Sequence, residues 1–565
     1  MKFSDIPYAR PNLAETETAL RALAQKAAGA EDGQALMDLY AQYAALSDET
    51  ATLSTVASIR HTVDTRDEFY DKENDYFDEQ GPVVGEASLA FYRALLASPH
   101  KAALEKAYGS IFLEKLALAV QGSDERLVTL QQEENALTTL YEKLYAAARI
   151  PFMGKELTVA QIGPYKQNLD RAVRKQAFEA EGGFFDANRE ELDGIFSRLV
   201  RNRTQQAKLL GHQSFTPLGD IRMERLGYTR QDIKACRDAV VKGIVPVVQK
   251  LKENQAKRIG LAAEDFRFWD DPVSFATGNP TPKGTPEEIL AAGQKMYRAL
   301  APETAGFIDF MMEGDLFDVL AKPGKAPGGY CTYIPGYKSP FIFSNFNGTA
   351  GDVDVLTHEA GHAFAAYLSA QKQGLPIELR SPGLESCEIH SMAMEFLTAK
   401  YHDLFFKQDT AKYAVAHTED ALFFLPYGCQ VDEFQETVYD APHLTDAQRN
   451  ELWLELERKY RPWNRFEDLP FYARGAGWQR QMHIYVSPFY YIDYVLAQAV
   501  ALELFLANQQ DEADAWQRYL ALTEKAGSET YTGLVHAAGL QTPFEEGAMK
   551  RVGAGVAAWL AQQSM

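Results

Sequence analysis

The 565-residue sequence has few cysteines, no excess of basic charge and no long uninterrupted apolar run. Its four cysteines are widely spaced and form no CxxC pair, so a disulfide-stapled scaffold is excluded and we expect reduced thiols. The formal net charge of -21 argues against nucleic acid as a partner, because polyphosphate binding requires clustered lysine and arginine. With 46% hydrophobic residues, the composition is that of a folded globular protein.

The chain also has no segment typical of an export signal or a membrane span. Its first twenty residues contain no uninterrupted apolar region followed by a cleavage pattern. The most apolar stretch, residues 490–507, contains Asp493, Gln498 and Glu503, which a spanning helix would have to bury in lipid. We therefore expect a cytoplasmic protein without a membrane partner, and a core helix over this stretch.

Most of the first 260 residues have the pattern of successive helices, with Ala, Leu, Glu and Lys abundant and apolar residues three or four apart. The Pro/Gly-rich segment 277–289 is the clearest break, and it ends in a helix start with Thr285 as N-cap, Pro286 at N1 and Glu288 closing a capping box. Residues 321–350 are rich in glycine, proline and aromatic residues, which predicts a small β-element in a helical protein.

The segment LTHEAGHAFAAYL, residues 356–368, contains the pattern HExxH. A helix turns 100° per residue, so His358 and His362 project from one face and both imidazoles can reach one ion. Zinc accepts such nitrogens, and a neighbouring carboxylate, here Glu359, can take a proton from water at the metal. The alternative is a helix with one packed and one solvated histidine. The residues after the motif are Ala365 and Leu368 rather than Gly and His, which excludes the subclass with a third histidine ligand.

A third ligand has to come from elsewhere, and LESCEIHSMAMEFL, residues 384–397, is the candidate segment. If it is helical, Glu388 and Glu395 lie seven apart on one face, whereas His390 points away from Glu388. One glutamate could bind the metal while the other supports it. The alternative is a solvated acidic face, but the apolar neighbours indicate buried carboxylates, which require partners.

A second cluster, residues 474–498, places one histidine and four tyrosines within twelve positions. Such aromatic residues more often form core, although phenol and imidazole donors are also what an oxyanion requires. If the segment is helical, Tyr491 and Tyr494 share a face. Tyr490 is turned by about 100° from Tyr491, so we expect it to pack in the core.

Three segments in this order, HEAGHAF, EIHSMAMEF and HIYVSPFYYIDY, resemble the M3 family of zinc oligopeptidases, in particular its oligoendopeptidase F and Pz-peptidase branch. The resemblance is sharp from about residue 327 to residue 498. It implies a mainly α-helical, two-lobed ellipsoid with a deep substrate channel and a small β-element at the active site. We expect residues 1–180 to form an N-terminal helical lobe and residues 181–565 to form the catalytic region that contributes to both lobes.

The resemblance also implies roles for individual residues. One zinc ion per chain would be held by His358, His362 and Glu388, with Glu359 as general base and Glu395 orienting a ligand histidine. Substrate and oxyanion contacts would come from His483, Tyr491 and Tyr494. The strand around residues 341–347 would be an active-site edge strand to which an extended peptide adds.

The sequence therefore favours a zinc endopeptidase that cleaves short oligopeptides, with the water activated by the metal and by Glu359. Two alternatives remain: a zinc carboxypeptidase that releases dipeptides, and a noncatalytic peptide-binding helical protein. The mark of the noncatalytic protein would be loss of Glu359 or of a ligand, and none is missing. Nothing in the sequence specifies an oligomeric state.

Overall fold

The computed structural model describes residues 2–322, 324–466 and 468–563. The helices of the first half are α1 Leu13–Ala28, α2 Gly33–Val63, α3 Glu68–Ala97, α4 Ala102–Tyr108, α5 Ser110–Gln121, α6 Val128–Ala146, α7 Val159–Lys166, α8 Arg171–Ala187, α9 Arg189–Leu209, α10 Thr216–Arg222, α11 Arg230–Gly243 and α12 Val245–Arg258. A two-stranded antiparallel hairpin, β1 Ile150–Phe152 and β2 Lys155–Leu157, lies between α6 and α7.

The second half begins with α13 Pro286–Leu300 and α14 Pro302–Glu313 and continues into a small sheet with strands β3 Phe317–Leu320, β4 Tyr330–Ile334 and β5 Ser339–Phe346. The remaining helices are α15 Gly351–Ala370, α16 Leu384–Leu397, α17 Asp403–Phe406, α18 Thr410–Asp440, α19 Asp446–Tyr460, α20 Pro470–Ala473, α21 Met482–Val486, α22 Tyr491–Asn508, α23 Glu512–Thr523, α24 Tyr531–Ala537 and α25 Ala548–Ala561. The expectation of a mainly helical protein with a small β-element is confirmed.

Local signals in the sequence correspond to observed helix boundaries. Helix α13 starts with the predicted capping box, in which the Thr285 hydroxyl accepts from the Glu288 amide and the Glu288 carboxylate accepts from the Thr285 amide. Helix α16 occupies the predicted segment, and α22 contains the apolar stretch that we expected to form a core helix. Within the described residues, none of the helices combines the length and apolarity that a bilayer crossing requires.

The small sheet has the strand order β3-β5-β4, with β5 parallel to β3 and antiparallel to β4. The register pairs Tyr330 with Phe343 and Ile334 with Ser339. The prediction that residues 341–347 form an edge strand is therefore wrong, because β5 is hydrogen-bonded to β3 on one side and to β4 on the other and is almost entirely buried. Its apolar residues run without alternation because they pack on both faces of the sheet. The edge strand next to the motif helix is β4.

The hydrophobic core is divided near the N-terminus. Helices α1 to α5 enclose a cluster of their own, with buried residues between Leu20 and Leu116 and one distant member, Leu379. A small cluster between Ala148 and Ala177 surrounds the β1–β2 hairpin, and the main cluster joins the end of α2 to the second half of the chain. Helix α8 runs continuously across residue 180, so a division of the chain there would fall within a helix. We propose that the N-terminal unit is better described by α1 to α5.

Candidate active site

The motif helix α15 and helix α16 pack in close contact at Gly361. A Cβ built on Gly361 would lie 2.4 Å from the carbonyl oxygen of His390 and 2.6 Å from the Cα of Ser391. Real Cβ atoms do not approach a backbone this closely. Glycine at this position therefore lets the two backbones touch, and the contact brings Glu388, one turn earlier on α16, against the face that carries the two motif histidines.

The ligand atoms of His358, His362 and Glu388 all lie within 4.8 Å of one another. Glu388 Oε2 is 3.2 Å from His358 Nε2 and 3.4 Å from His362 Nε2. Two ligands at about 2.0–2.1 Å from a tetrahedral ion lie roughly 3.3–3.4 Å apart, so these distances and the N,N,O donor set fit zinc. Among the described residues this is the one cluster of three or more metal-ligating side chains.

The electrostatics of this cluster keep Glu388 ionised. Burial by itself would raise the pKa of its carboxyl, but the His362 and His358 imidazoles outweigh burial and hold the pKa well below its usual value. A carboxylate must be deprotonated to bind a metal, so the surroundings keep Glu388 in the form that can do so. Burial raises the pKa of the neighbouring Glu359, which lines the same cavity.

Glu395 supports the motif from the opposite side of His358. Its Oε1 lies 2.8 Å from His358 Nδ1, and its Oε2 lies 2.6 Å from Nε2 of His417 on α18. These hydrogen bonds outweigh the effect of burial and lower the pKa of Glu395 to about 2. The arrangement leaves Nε2 of His358 directed at the ligand cluster, as expected for a carboxylate that orients a metal-binding imidazole.

His417 is the functional neighbour that the sequence reasoning missed. Its side chain is 11% exposed, and its ring lies between Phe396 and Tyr413. It stands outside any motif, 22 residues after Glu395. The one available signal was chemical: a buried carboxylate has two oxygens, and binding His358 satisfies only one of them.

His483 and two tyrosines form the other wall of the site. The Tyr490 hydroxyl donates to Glu388 Oε1, the oxygen that faces away from the imidazoles. The Tyr494 hydroxyl lies 3.3 Å from Nε2 of His483. Tyr490, Tyr494 and His483 all line the cavity that contains the ligand cluster.

The expectation that Tyr490 packs in the core and that Tyr491 faces the site is wrong in this structure. Tyr491 packs against Phe424 and Tyr427 of α18, with ring centroids 5.6 Å from each, and it does not line the cavity. Spacings of three and four residues both place side chains on one helix face, so the sequence allowed either pair of tyrosines. Helix α18 decided between the pairs, because its Phe424 and Tyr427 both pack against Tyr491, whereas only Phe424 contacts Tyr494 and both Tyr490 and Tyr494 line the cavity.

The cavity has a volume of about 440 Å³. Gly329 and the first four residues of β4 form one side of the cavity. Residues between Arg380 and Glu388 form another side. Gly329 allows β4 to pass close to the motif helix, because a Cβ there would lie 3.0 Å from the Val355 side chain and 3.6 Å from Glu359 Oε1. The four cysteines are free thiols, and Cys331 and Cys387 line this cavity.

The chain is similar to known peptidases in sequence and in fold. A family model described as the peptidase M3 N-terminal domain matches residues 3–122, and one described as peptidase family M3 matches residues 308–553. The chain is 43% identical to the structure of a PZ peptidase A with an inhibitor, with a TM-score of 0.97 over 100% of both chains. It is 44% identical to a putative oligoendopeptidase F, with a TM-score of 0.97 over 100% of this chain and 99% of that one.

A curated relative, an oligoendopeptidase F homolog of Mycoplasma genitalium, is 23% identical over 271 residues. The match covers 46% of this chain and 42% of the relative, so the chain aligns with less than half the length of that protein.

Proposed function

The chain belongs to peptidase family M3, and on this premise we propose that it is a zinc metalloendopeptidase acting on internal bonds of short oligopeptides. The observation that carries the proposal is the convergence of His358, His362 and Glu388 beside Glu359 in one cavity. When bound by these three ligands, zinc supplies Lewis acidity toward the scissile carbonyl and the attacking water.

In this proposal Glu359 is the general base. Its carboxylate follows the first ligand in the chain and lines the same cavity, so an attacking water can lose its proton to Oε of Glu359. Glu395 holds the ring of His358 through Nδ1, and Tyr490 holds Glu388 through Oε1, so both side chains are fixed before substrate arrives. His483 and Tyr494 form a hydrogen-bonded pair that supplies a donor for the negative charge that develops on the carbonyl oxygen.

Strand β4 supports an extended peptide as the substrate. It is bonded to β5 on one side only, and residues 330–333 line the cavity. A peptide can add to such an edge through backbone hydrogen bonds, which depend little on side chains. Broad sequence tolerance follows, while the requirement for an extended backbone excludes folded proteins.

The charges around the cavity favour internal cleavage over release of dipeptides from a C-terminus. Arg380 is the one lysine or arginine among the described residues that line the cavity. Its Nη1 and Nη2 lie 2.6 and 2.8 Å from the two carboxylate oxygens of Asp48, so its charge is already paired. A carboxypeptidase would need a cation available for the terminal carboxylate of its substrate.

A peptide blocked at both ends tests this proposal. We expect the zinc-loaded protein to cleave an acetylated and amidated peptide of about ten residues at internal bonds, as followed by mass spectrometry. The same residues placed within a stable folded domain should resist cleavage. The comparison peptide has the same sequence with a free C-terminus. If only this peptide is cleaved, the carboxypeptidase is favoured. If neither the blocked nor the free peptide is cleaved, the noncatalytic protein is favoured.

The three tyrosines should differ in their effects. Tyr494→Phe removes a proposed oxyanion donor and should lower kcat by about 10²-fold or more with little change in metal content. Tyr490→Phe releases Glu388 and should weaken metal binding by about 10-fold or more. Tyr491→Phe should change neither property, because that ring packs against α18. Steady-state kinetics measures kcat and elemental analysis measures metal content for the three variants. Equal, small effects at all three positions would show that the tyrosines have only a structural role.

A further inference from the structure

We propose that Gln481 is a positioning residue that fixes the neutral tautomer of His483 with its proton on Nε2, so that the hydrogen-bond donor of this ring points into the cavity. The inference rests on the proposed function, since it concerns how His483 and Tyr494 meet the reacting carbonyl. It concerns a residue outside the cavity lining, which acts only through another side chain.

The first step is the contact between the two side chains. Gln481 Nε2 lies 2.8 Å from Nδ1 of His483. An amide nitrogen can only donate, so Nδ1 must accept and cannot carry a proton. At the other end of this amide, the Tyr427 hydroxyl donates to Gln481 Oε1 at 2.8 Å.

Tyr427 is itself held firmly on α18. The Arg461 guanidinium carbon lies over the Tyr427 ring, 4.5 Å from its centroid. The rings of Trp453 and Tyr491 meet the Tyr427 ring edge-on. Helix α18 thus supports both walls of the site. It reaches His358 through His417 and Glu395, and it reaches His483 through Tyr427 and Gln481.

The second step is the protonation state of His483. Burial lowers the pKa of this imidazole to about 4, and Glu388 is the one charged neighbour that opposes burial. A neutral ring carries one proton, and with Nδ1 accepting from Gln481 that proton lies on Nε2.

The third step gives the chain of hydrogen bonds a direction. Nε2 of His483 lies 3.3 Å from the Tyr494 oxygen and donates to it. The phenol then accepts from the imidazole, and its own proton is available to the neighbouring Tyr490 oxygen or to a substrate oxygen in the cavity. Gln481, His483 and Tyr494 thus donate in sequence toward the cavity, where charge develops on the carbonyl oxygen.

A glutamate at position 481 would reverse this direction. A carboxylate can only accept, so Nδ1 would hold a proton in both the neutral and the cationic ring. In the neutral ring Nε2 would then accept from Tyr494 and withdraw the phenol proton from the cavity. Gln481→Met has similar length and removes the donor without adding a charge.

Nitrogen-15 NMR of labelled histidine in the zinc-loaded enzyme reads the tautomer directly, with the His483 signals identified by their loss in a His483→Asn variant. We expect an unprotonated Nδ1 in the wild-type protein at neutral pH and a protonated Nδ1 in Gln481→Glu. In the same variant kcat should fall by about 10²-fold, the scale for a lost oxyanion donor, while KM and metal content stay near the wild-type values. Gln481→Met should also lower kcat, without forcing a proton onto Nδ1.

The matched control is Gln510→Glu, which adds the same charge at an exposed position just after α22 and should change neither the spectrum nor kcat. The inference is overturned if Nδ1 of the wild-type protein is protonated, or if Gln481→Glu moves the proton and leaves kcat unchanged. If the wild-type protein cleaves no peptide, the proposed function fails, whereas the spectra still decide the Gln481 assignment.

Discussion

Glu359→Gln should lower kcat by about 10²–10⁴-fold, the range for a lost general base, while the protein keeps about one zinc ion per chain. Glutamine has nearly the same shape as glutamate, so the cavity should keep its form, but an amide cannot accept a proton from water. Glu359 makes none of the close contacts that join His358, His362 and Glu388, so its loss should leave the ligands in position.

Glu388→Ala is the matched comparison for this result. It removes the carboxylate that lies against both imidazoles, so we expect weakened metal binding together with lost activity. Zinc content from elemental analysis and single-turnover kinetics separate the two variants. A Glu359→Gln protein with near-normal kcat would refute the general-base assignment, and activity that is indifferent to a chelator would refute the metal site.

Gly361→Ala should destabilise the protein and weaken metal binding at the same time. In an ordinary helix this change stabilises by up to about 1 kcal/mol, because alanine has the higher helix propensity. Here the added Cβ meets the backbone of His390 and Ser391, which no side-chain rotation can relieve. Overpacking of this kind costs roughly 1–3 kcal/mol or more, so the steric term exceeds the propensity gain.

Metal affinity should also fall in Gly361→Ala, by about 10-fold or more, the scale for disturbed ligand orientation. If α15 and α16 separate, Glu388 moves away from His358 and His362. Urea unfolding of the metal-free proteins measures the steric cost without the stabilisation that bound metal adds. A chelator competition then measures the affinity separately.

Gly194→Ala is the control for this substitution. Gly194 lies exposed within α9, and a Cβ there meets no atom within 4 Å. The same change should therefore stabilise the protein slightly and leave metal binding unchanged. If the two alanine variants behave alike, the close approach at Gly361 does not determine the geometry of the site.

Several features of the site are determined by residues that are close together in the sequence. The spacing of His358 and His362 fixes their common face once a helix forms, and α16 covers the predicted residues 384–397. The capping box at Thr285 likewise depends on contacts only three residues apart. Such features can be predicted because helix periodicity and capping are set by neighbours within about one turn of the chain.

Other parts depend on elements that are distant in the chain. Tyr490 rather than Tyr491 faces the cavity because α18 covers one of them, and His417 on the same helix completes the bonds of Glu395. The order of the three strands placed β4 rather than β5 at the edge. No periodicity along α22 or β5 contains this information, since each alternative has equally good local geometry.

By itself, the sequence determined the helical class, the pair of motif histidines with their adjacent glutamate, and the short list of residues from which a third ligand could come. Only the tertiary structure decided which surfaces meet: α15 against α16 at Gly361, and α18 behind Glu395 and Gln481. The physical reason is the distance along the chain over which each interaction acts. Backbone hydrogen bonds and side-chain spacing act within a few residues, whereas an active site is fixed by packing between segments that the chain separates by tens or hundreds of positions.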